Sequence, residues 1–349
     1  MTFPERSLPS VLRGSAWALA AALCVTVLPA QSSRMNLSGP GLSRFSLSSG
    51  CGKTLASPLA ASPLPASPKS ESTPPAAALP ALPQPGSPGL SKIETRDGRG
   101  FRRTYLLLAP KSYNPHKTYS LVLVFHGSGA TSEASMSWGL QDAQGAAESA
   151  VFLFPQGFAF HGNPAGWDDS DRGYDTGFFD TMVSDVEDAY CIDRDEVFIT
   201  GFSWGADFAK LLGCARGDTV RAMAVNSGGD DFKDHADFRS YRGLPCPSRI
   251  HPAVRFEHAI DEDSAYAAPE FATTSQLYQF LNQCNATSKP TPSSTQVMTC
   301  RAFDGCSREY VECSFNAQIG HALPPNWPQD TWDFFASFRK TDRDVSHYR

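Results

Sequence analysis

Gly201-Phe202-Ser203-Trp204-Gly205 holds the residues best placed to do chemistry. It follows the apolar run 197–200 ("VFIT") and precedes a helix-like stretch, 207–214. A serine hydroxyl is a weak nucleophile until a base takes its proton. A sharp strand-to-helix turn lifts that hydroxyl clear of a sheet, and the two glycines remove side chains that would collide there. The same five residues elsewhere would be an ordinary turn. Here the pattern predicts Ser203 as nucleophile, with the Trp204 amide facing the oxyanion that develops.

A second oxyanion donor belongs after an earlier strand. His126-Gly127-Ser128-Gly129 directly follows the apolar run 121–125 ("LVLVF"), and the Ser128 amide is the candidate. No GK[ST] follows, so a phosphate loop is the poorer reading. His126 precedes the glycine turn and reads as a packing and hydrogen-bonding residue.

The base and acid should follow the serine in the order acid, then histidine. Beyond Cys284 stand only His321 and His347. His347 lies in the polar tail "DRDVSHYR". His321 lies in "NAQIGHALPPNW", between a hairpin-like pair of strands and the last helix, and is the candidate base. The acid belongs after "VRFEHAID", where Asp261, Glu262 and Asp263 compete. Distance from the strand does not choose among them.

The elements that must hold these residues alternate along the chain. Strands are expected at 103–109, 121–125, 151–154, 197–200, 221–225 and 254–258. Helices are expected around 178–190, at 207–214, at 270–284 with Pro269 in the first turn, and at 331–338. Continuous apolar strands separated by helices imply a mostly parallel α/β sheet, with the site at the strands' carboxyl ends.

The chain has 349 residues, 41% hydrophobic and 19% charged, with a formal charge of −6. That balance argues against nucleic acid as a partner, whose binders are basic. Residues 1–30 read as a signal peptide: Arg6 and Arg13, then an apolar run from Trp17 to Leu28 too short to span a bilayer, then Leu28-Pro29-Ala30. An extracellular protein without stable membrane insertion is expected. Residues 31–92 read as a linker region, rich in Ala, Ser and Pro from 53 to 91. The folded domain is expected over 93–345. Nine cysteines lack CxxC spacing, so zinc is a weak reading. Cys24 falls in the signal, and the eight that remain allow four disulfides in an oxidising compartment. Cys300 and Cys313 flank a turn and could bridge across it.

Residues 190–228 ("YCIDRDEVFITGFSWGADFAKLLGCARGDTVRAMAVNSG") resemble secreted carbohydrate esterases of the feruloyl esterase type, relatives of polyhydroxybutyrate depolymerases. "LVLVFHGSGA", "VFLFPQG", the Gly50-Cys51-Gly52-Lys53 patch and the terminal "GH…W…TWDFFASF" match in order. The likeness spans roughly 100–340. It implies an α/β-hydrolase fold and a Ser203–Asp263–His321 triad. Asp263 is preferred over Asp261 by a D-x-x-apolar fit and by its spacing to Cys284, although Ala259 replaces the family's glycine and the loop carries an extra residue. It also implies a Cys284–Cys306 bridge, leaving Cys51, Cys191, Cys214 and Cys246 with three connectivities.

The resulting expectation is a serine carboxylesterase needing no cofactor or metal. Its substrates would be feruloyl or acetyl esters on plant polysaccharide, with polyhydroxybutyrate or a small aryl ester as alternatives. Trp138, Trp167, Trp204 and Trp327 are candidates to line an aromatic cleft, or simply core. A polymer-binding module without catalysis is the rival class, disfavoured by the presence of both Ser203 and His321.

Overall fold

The computed structural model describes residues 86–340, except 161, 169–172, 230–239, 242–243, 247, 260–267, 293–294 and 316–318. Residues 1–85, which include the expected signal segment 1–30 and most of the expected linker, and Asp261, Glu262 and Asp263 lie outside the described residues.

The chain opens with the hairpin β1 (Gly89–Arg96) and β2 (Arg102–Ala109), then β3 (Tyr119–Phe125). Helix α1 (Ser132–Met136) leads to β4 (Ala150–Pro155) and a small hairpin, β5 (Phe158–Phe160) and β6 (Asn163–Gly166). Next come α2 (Tyr174–Ala189), β7 (Ile192–Phe202), α3 (Trp204–Ala215) and β8 (Ala222–Asn226). Two short strands, β9 (Ser240–Tyr241) and β10 (Leu244–Pro245), precede β11 (Ala253–Ala259). The remainder is α4 (Ala268–Leu281), β12 (Ser288–Pro290), β13 (Met298–Phe303), β14 (Tyr310–Phe315) and α5 (Trp327–Ala336).

Ten strands form one sheet in the order β1-β2-β4-β3-β7-β8-β11-β14-β13-β12. The six from β4 to β14 run parallel, and antiparallel strands extend both edges. This is the mostly parallel α/β-hydrolase arrangement expected. Every residue of β3 is buried. Leu121, Leu123 and Phe125 enter the core on one face, while Val122 and Val124 enter the core on the other. A strand covered on both faces has no polar positions to alternate with, and each such side chain contributes about 1.5–3 kcal/mol.

Strand pairing reaches back to Gly89, ahead of Ile93, because β1 pairs along its full length with β2. Only Ile93 of this edge strand is buried, so its sequence carries little apolar signal. Helix α5 starts at Trp327, four residues before the expected 331, with proline in its first turn. Helix α4 ends at Leu281 rather than 284, and Gln283 at φ 55° takes the left-handed conformation that stops a helix.

Disulfides Cys284–Cys306 and Cys300–Cys313 form as expected, the second between register partners on β13 and β14. Cys214 pairs with Cys246, tying α3 to the segment before β11. Cys191 is also disulfide-bonded.

A buried cation fastens the β5–β6 hairpin and α2 to β2. The Arg103 guanidinium lies between the rings of Phe158 and Phe178, 4.2 and 4.1 Å from their centroids. It pairs with Asp175, reaches Asp97 at 3.6 Å, and donates to the Gln156 carbonyl at 3.4 Å. Burial pushes the Asp175 carboxyl up, and Arg103 opposes that.

Candidate active site

Strand β7 delivers Ser203 at the carboxyl edge of the parallel sheet, directly before α3. Its backbone stands at φ 56° and ψ −127°, a conformation that side-chain-bearing residues rarely adopt. The turn is held because neighbouring chain crowds it. A Cβ on Gly201 would come 2.3 Å from the Gly205 carbonyl oxygen, and one on Gly205 would come 2.2 Å from that of Phe125. Only glycine permits both approaches, which accounts for the two glycines of the motif. Ser203 caps α3 through its carbonyl, which accepts from the amides of Ala206 and Asp207 at 2.8 and 3.1 Å. Its hydroxyl makes no capping bond.

The turn after β3 lies against this serine. A Cβ at Gly127 would sit 3.2 Å from the Ser203 Cβ. Ser128, next in the chain, is exposed, and Trp204 is half-buried as the first residue of α3. The 126–130 turn is pinned at several points. Gly129 donates its amide to Ala165 at 2.7 Å, and Trp167 Nε1 donates to the His126 carbonyl at 2.8 Å.

His126 is fully buried and takes the structural part expected of it. Its Nε2 accepts the Gly157 amide at 2.9 Å, so the proton must sit on Nδ1, which donates to the Gly127 carbonyl at 2.8 Å. Burial holds its pKa below the usual imidazole value, with the Gly127 bond opposing.

His321 reaches the same edge. Its ring lies 4.7 Å from that of Phe202, centroid to centroid, beside Ser203. The structure therefore gathers Ser203, the Ser128 turn, Trp204 and His321 at one sheet edge. Asp263 and Asp261 lie outside the described residues.

The four tryptophans divide. Trp138 and Trp204 are half-buried. Trp167 and Trp327 are 0% and 1% exposed and belong to the core, not to a cleft wall. Trp167 stacks on Phe208, while Trp327 packs edge-on against Trp138.

Two buried ionic groups beside the site were not foreseen. Asp207 Oδ1 pairs with Lys210 at 2.8 Å and accepts the Gly229 amide at 2.8 Å. Arg255 Nε donates to Glu257 at 2.6 Å, and the other Glu257 oxygen accepts from Asn226 Nδ2 at 3.0 Å. Charges at i and i+2 within the apolar strand "AVRFEHA" were the available signal, since they share one face.

Known proteins resemble this chain over most of its length. The chain is 31% identical over 266 residues to a probable feruloyl esterase C of Aspergillus oryzae, covering 71% of this chain and 86% of the relative. It belongs to the feruloyl esterase family. Feruloyl esterase C of Emericella nidulans is 30% identical over 251 residues, covering 67% of this chain and 83% of its own. No family model matches the chain. Among solved structures, the acetyl xylan esterase of Aspergillus awamori superposes with a TM-score of 0.51 at 14% identity, covering 71% of this chain and all of that one. At that identity the likeness concerns the fold. As a feruloyl esterase family member the chain is a carboxylic ester hydrolase. No helix among the described residues is long and apolar enough to cross a membrane.

Proposed function

We propose that this esterase is extracellular and releases ferulate or acetyl groups from plant polysaccharide through an acyl-enzyme on Ser203. The strained Ser203 backbone at the β7–α3 junction, with the 126–129 turn against it, carries this reading. The hydroxyl oxygen attacks the ester carbonyl while His321 takes its proton. The Ser128 and Trp204 amides receive the oxyanion. The tetrahedral intermediate collapses, the alcohol leaves with the proton from His321, and the acyl group stays on Ser203. Water, deprotonated by His321, then releases the acid and restores the serine. Asp263 orients His321 and meets its positive charge. Asp207 and Glu257, the buried carboxylates beside the elbow, are already engaged by Lys210 and Arg255, which supports Asp263 as the acid. Feruloyl over other acyl groups is supported by the names of the relatives.

Purified protein assayed on methyl ferulate, acetylated xylan and polyhydroxybutyrate tests the substrate. Hydrolysis of the first or second with none of the third is expected, and the reverse would overturn it. Ser203→Ala should keep the fold and lose several orders of magnitude in rate, together with fluorophosphonate labelling. An active alanine variant would refute the mechanism.

A further inference from the structure

We infer that Gln156 is a positioning residue for ester hydrolysis, holding the 127–132 turn so that the Ser128 amide meets the oxyanion. The inference rests on the proposed role of Ser128.

Gln156 directly follows β4, and its backbone amide donates to Thr104 at 2.9 Å, anchoring it to β2. Its side chain crosses to the other side of the turn. Oε1 accepts the amide of Ser132, the first residue of α1, at 3.0 Å. The Ser132 hydroxyl approaches the same oxygen at 3.4 Å. Nε2 donates to the Ala130 and Gly157 carbonyls at 3.4 and 3.3 Å. His126 Nε2 lies 3.4 Å away, but its lone pair already accepts the Gly157 amide. One amide side chain therefore bridges Ala130 and Ser132 on the turn to Gly157 on the neighbouring loop.

This placement bears on catalysis. The turn's inner side is fixed by Trp167 and Gly129, and the Ala130 amide donates back to the Gly127 carbonyl at 3.2 Å, while the Gln156 side chain ties the stretch from Ala130 into α1 to the end of β4. Helix α1 has five residues and little core of its own. An oxyanion donor is effective only when preorganised, so a turn that shifts by a fraction of an ångström weakens the transition state more than the bound substrate. Carboxylate in place of amide keeps the Ser132 acceptor but sets a negative oxygen against the Ala130 and Gly157 carbonyls, and protonating it restores a donor.

The test compares Gln156→Leu and Gln156→Glu with the wild type on a soluble aryl ester. Active sites are titrated by burst amplitude, so that rates refer to folded enzyme. For Gln156→Leu, kcat per titrated site should fall about ten- to a hundred-fold with KM within about three-fold, short of the ~10²–10³ lost when a donor is removed outright. For Gln156→Glu, activity relative to wild type should rise as pH falls from 8 to 5, while the leucine ratio stays flat. A purely structural role would lower burst amplitude and leave kcat per site unchanged, which would overturn the inference. A flat ratio for the glutamate variant would also overturn it, and decides the matter if the leucine variant does not fold. An inactive Ser203→Ala beside a fully active Gln156→Leu would defeat this inference alone. An active Ser203→Ala would defeat both it and the reading beneath it.

Discussion

The Ser203 amide donates to the Asn226 carbonyl at 3.1 Å, so the strained elbow is stitched to the end of β8. The Asn226 side chain donates in turn to Glu257, whose other oxygen holds Arg255. Arg255 and Glu257 side chains are each 1% exposed, and Asp330 stands 3.7 Å from the same guanidinium. A buried carboxylate stripped of its cation costs far more than the pair contributes. Arg255→Met should therefore destabilise the fold by about 3–5 kcal/mol, and Arg255→Met with Glu257→Leu should recover most of that. Denaturant unfolding of both decides it; equal stability of the two variants would sink the argument.

The proposed acid, Asp263, yields a kinetic prediction. Asp263→Asn should reduce turnover about 10⁴-fold, as loss of the acid does in a serine protease, because only the true acid orients His321. Asp261→Asn should stay within a factor of a few. Kinetics on a soluble aryl ester check both. A dead Asp261→Asn enzyme would place the extra loop residue after the acid instead of before it.

His126 makes stability depend on pH. Its folded-state pKa is lowered by burial, so the unfolded chain takes up the proton first as pH falls. Stability is thus full above the ordinary imidazole value of about 6.5 and declines as pH drops through it. His251, also lowered by burial, acts in the same direction. His126→Gln should flatten the fall in unfolding midpoint between pH 7.5 and 5.5. An unaltered slope would show that His126 protonates as easily folded as unfolded.

The amino-terminal region yields a proteolysis prediction. Residues 53–85 carry Ala, Ser and Pro without a core-forming pattern, whereas β1 is paired from Gly89 onward. Limited proteolysis should cut first within 53–85 and leave an active fragment. Cys191 is disulfide-bonded, and Cys24 and Cys51 are the cysteines outside the described residues. The cleaved peptide carrying Cys51 should stay attached until reduction, read on gels run with and without thiol. Release without reductant would assign Cys191 another partner.

Local chemistry explains what was legible in the chain. Ser203 and its turn were readable because strand, turn and helix lie within about a dozen consecutive residues, and crowding at Gly201 and Gly205 imposes the glycines directly. The parallel strands were readable because burial on both faces leaves an unbroken apolar run, as in β3. Strand β1 left only a faint hydrophobic signature because an edge strand that buries Ile93 alone takes most of its stability from backbone pairing with β2. Other features exist only once distant segments meet. Trp167 and Trp138 are the same residue type, yet the 126–130 turn and Phe208 bury one and leave the other half-exposed. Cys214 could have paired with any of three cysteines until α3 was laid beside the segment holding Cys246. Gln156 became a brace because β4 ends opposite the turn leaving β3, and hydrogen bonds between residues about two dozen apart follow from strand order, which no local sequence period encodes.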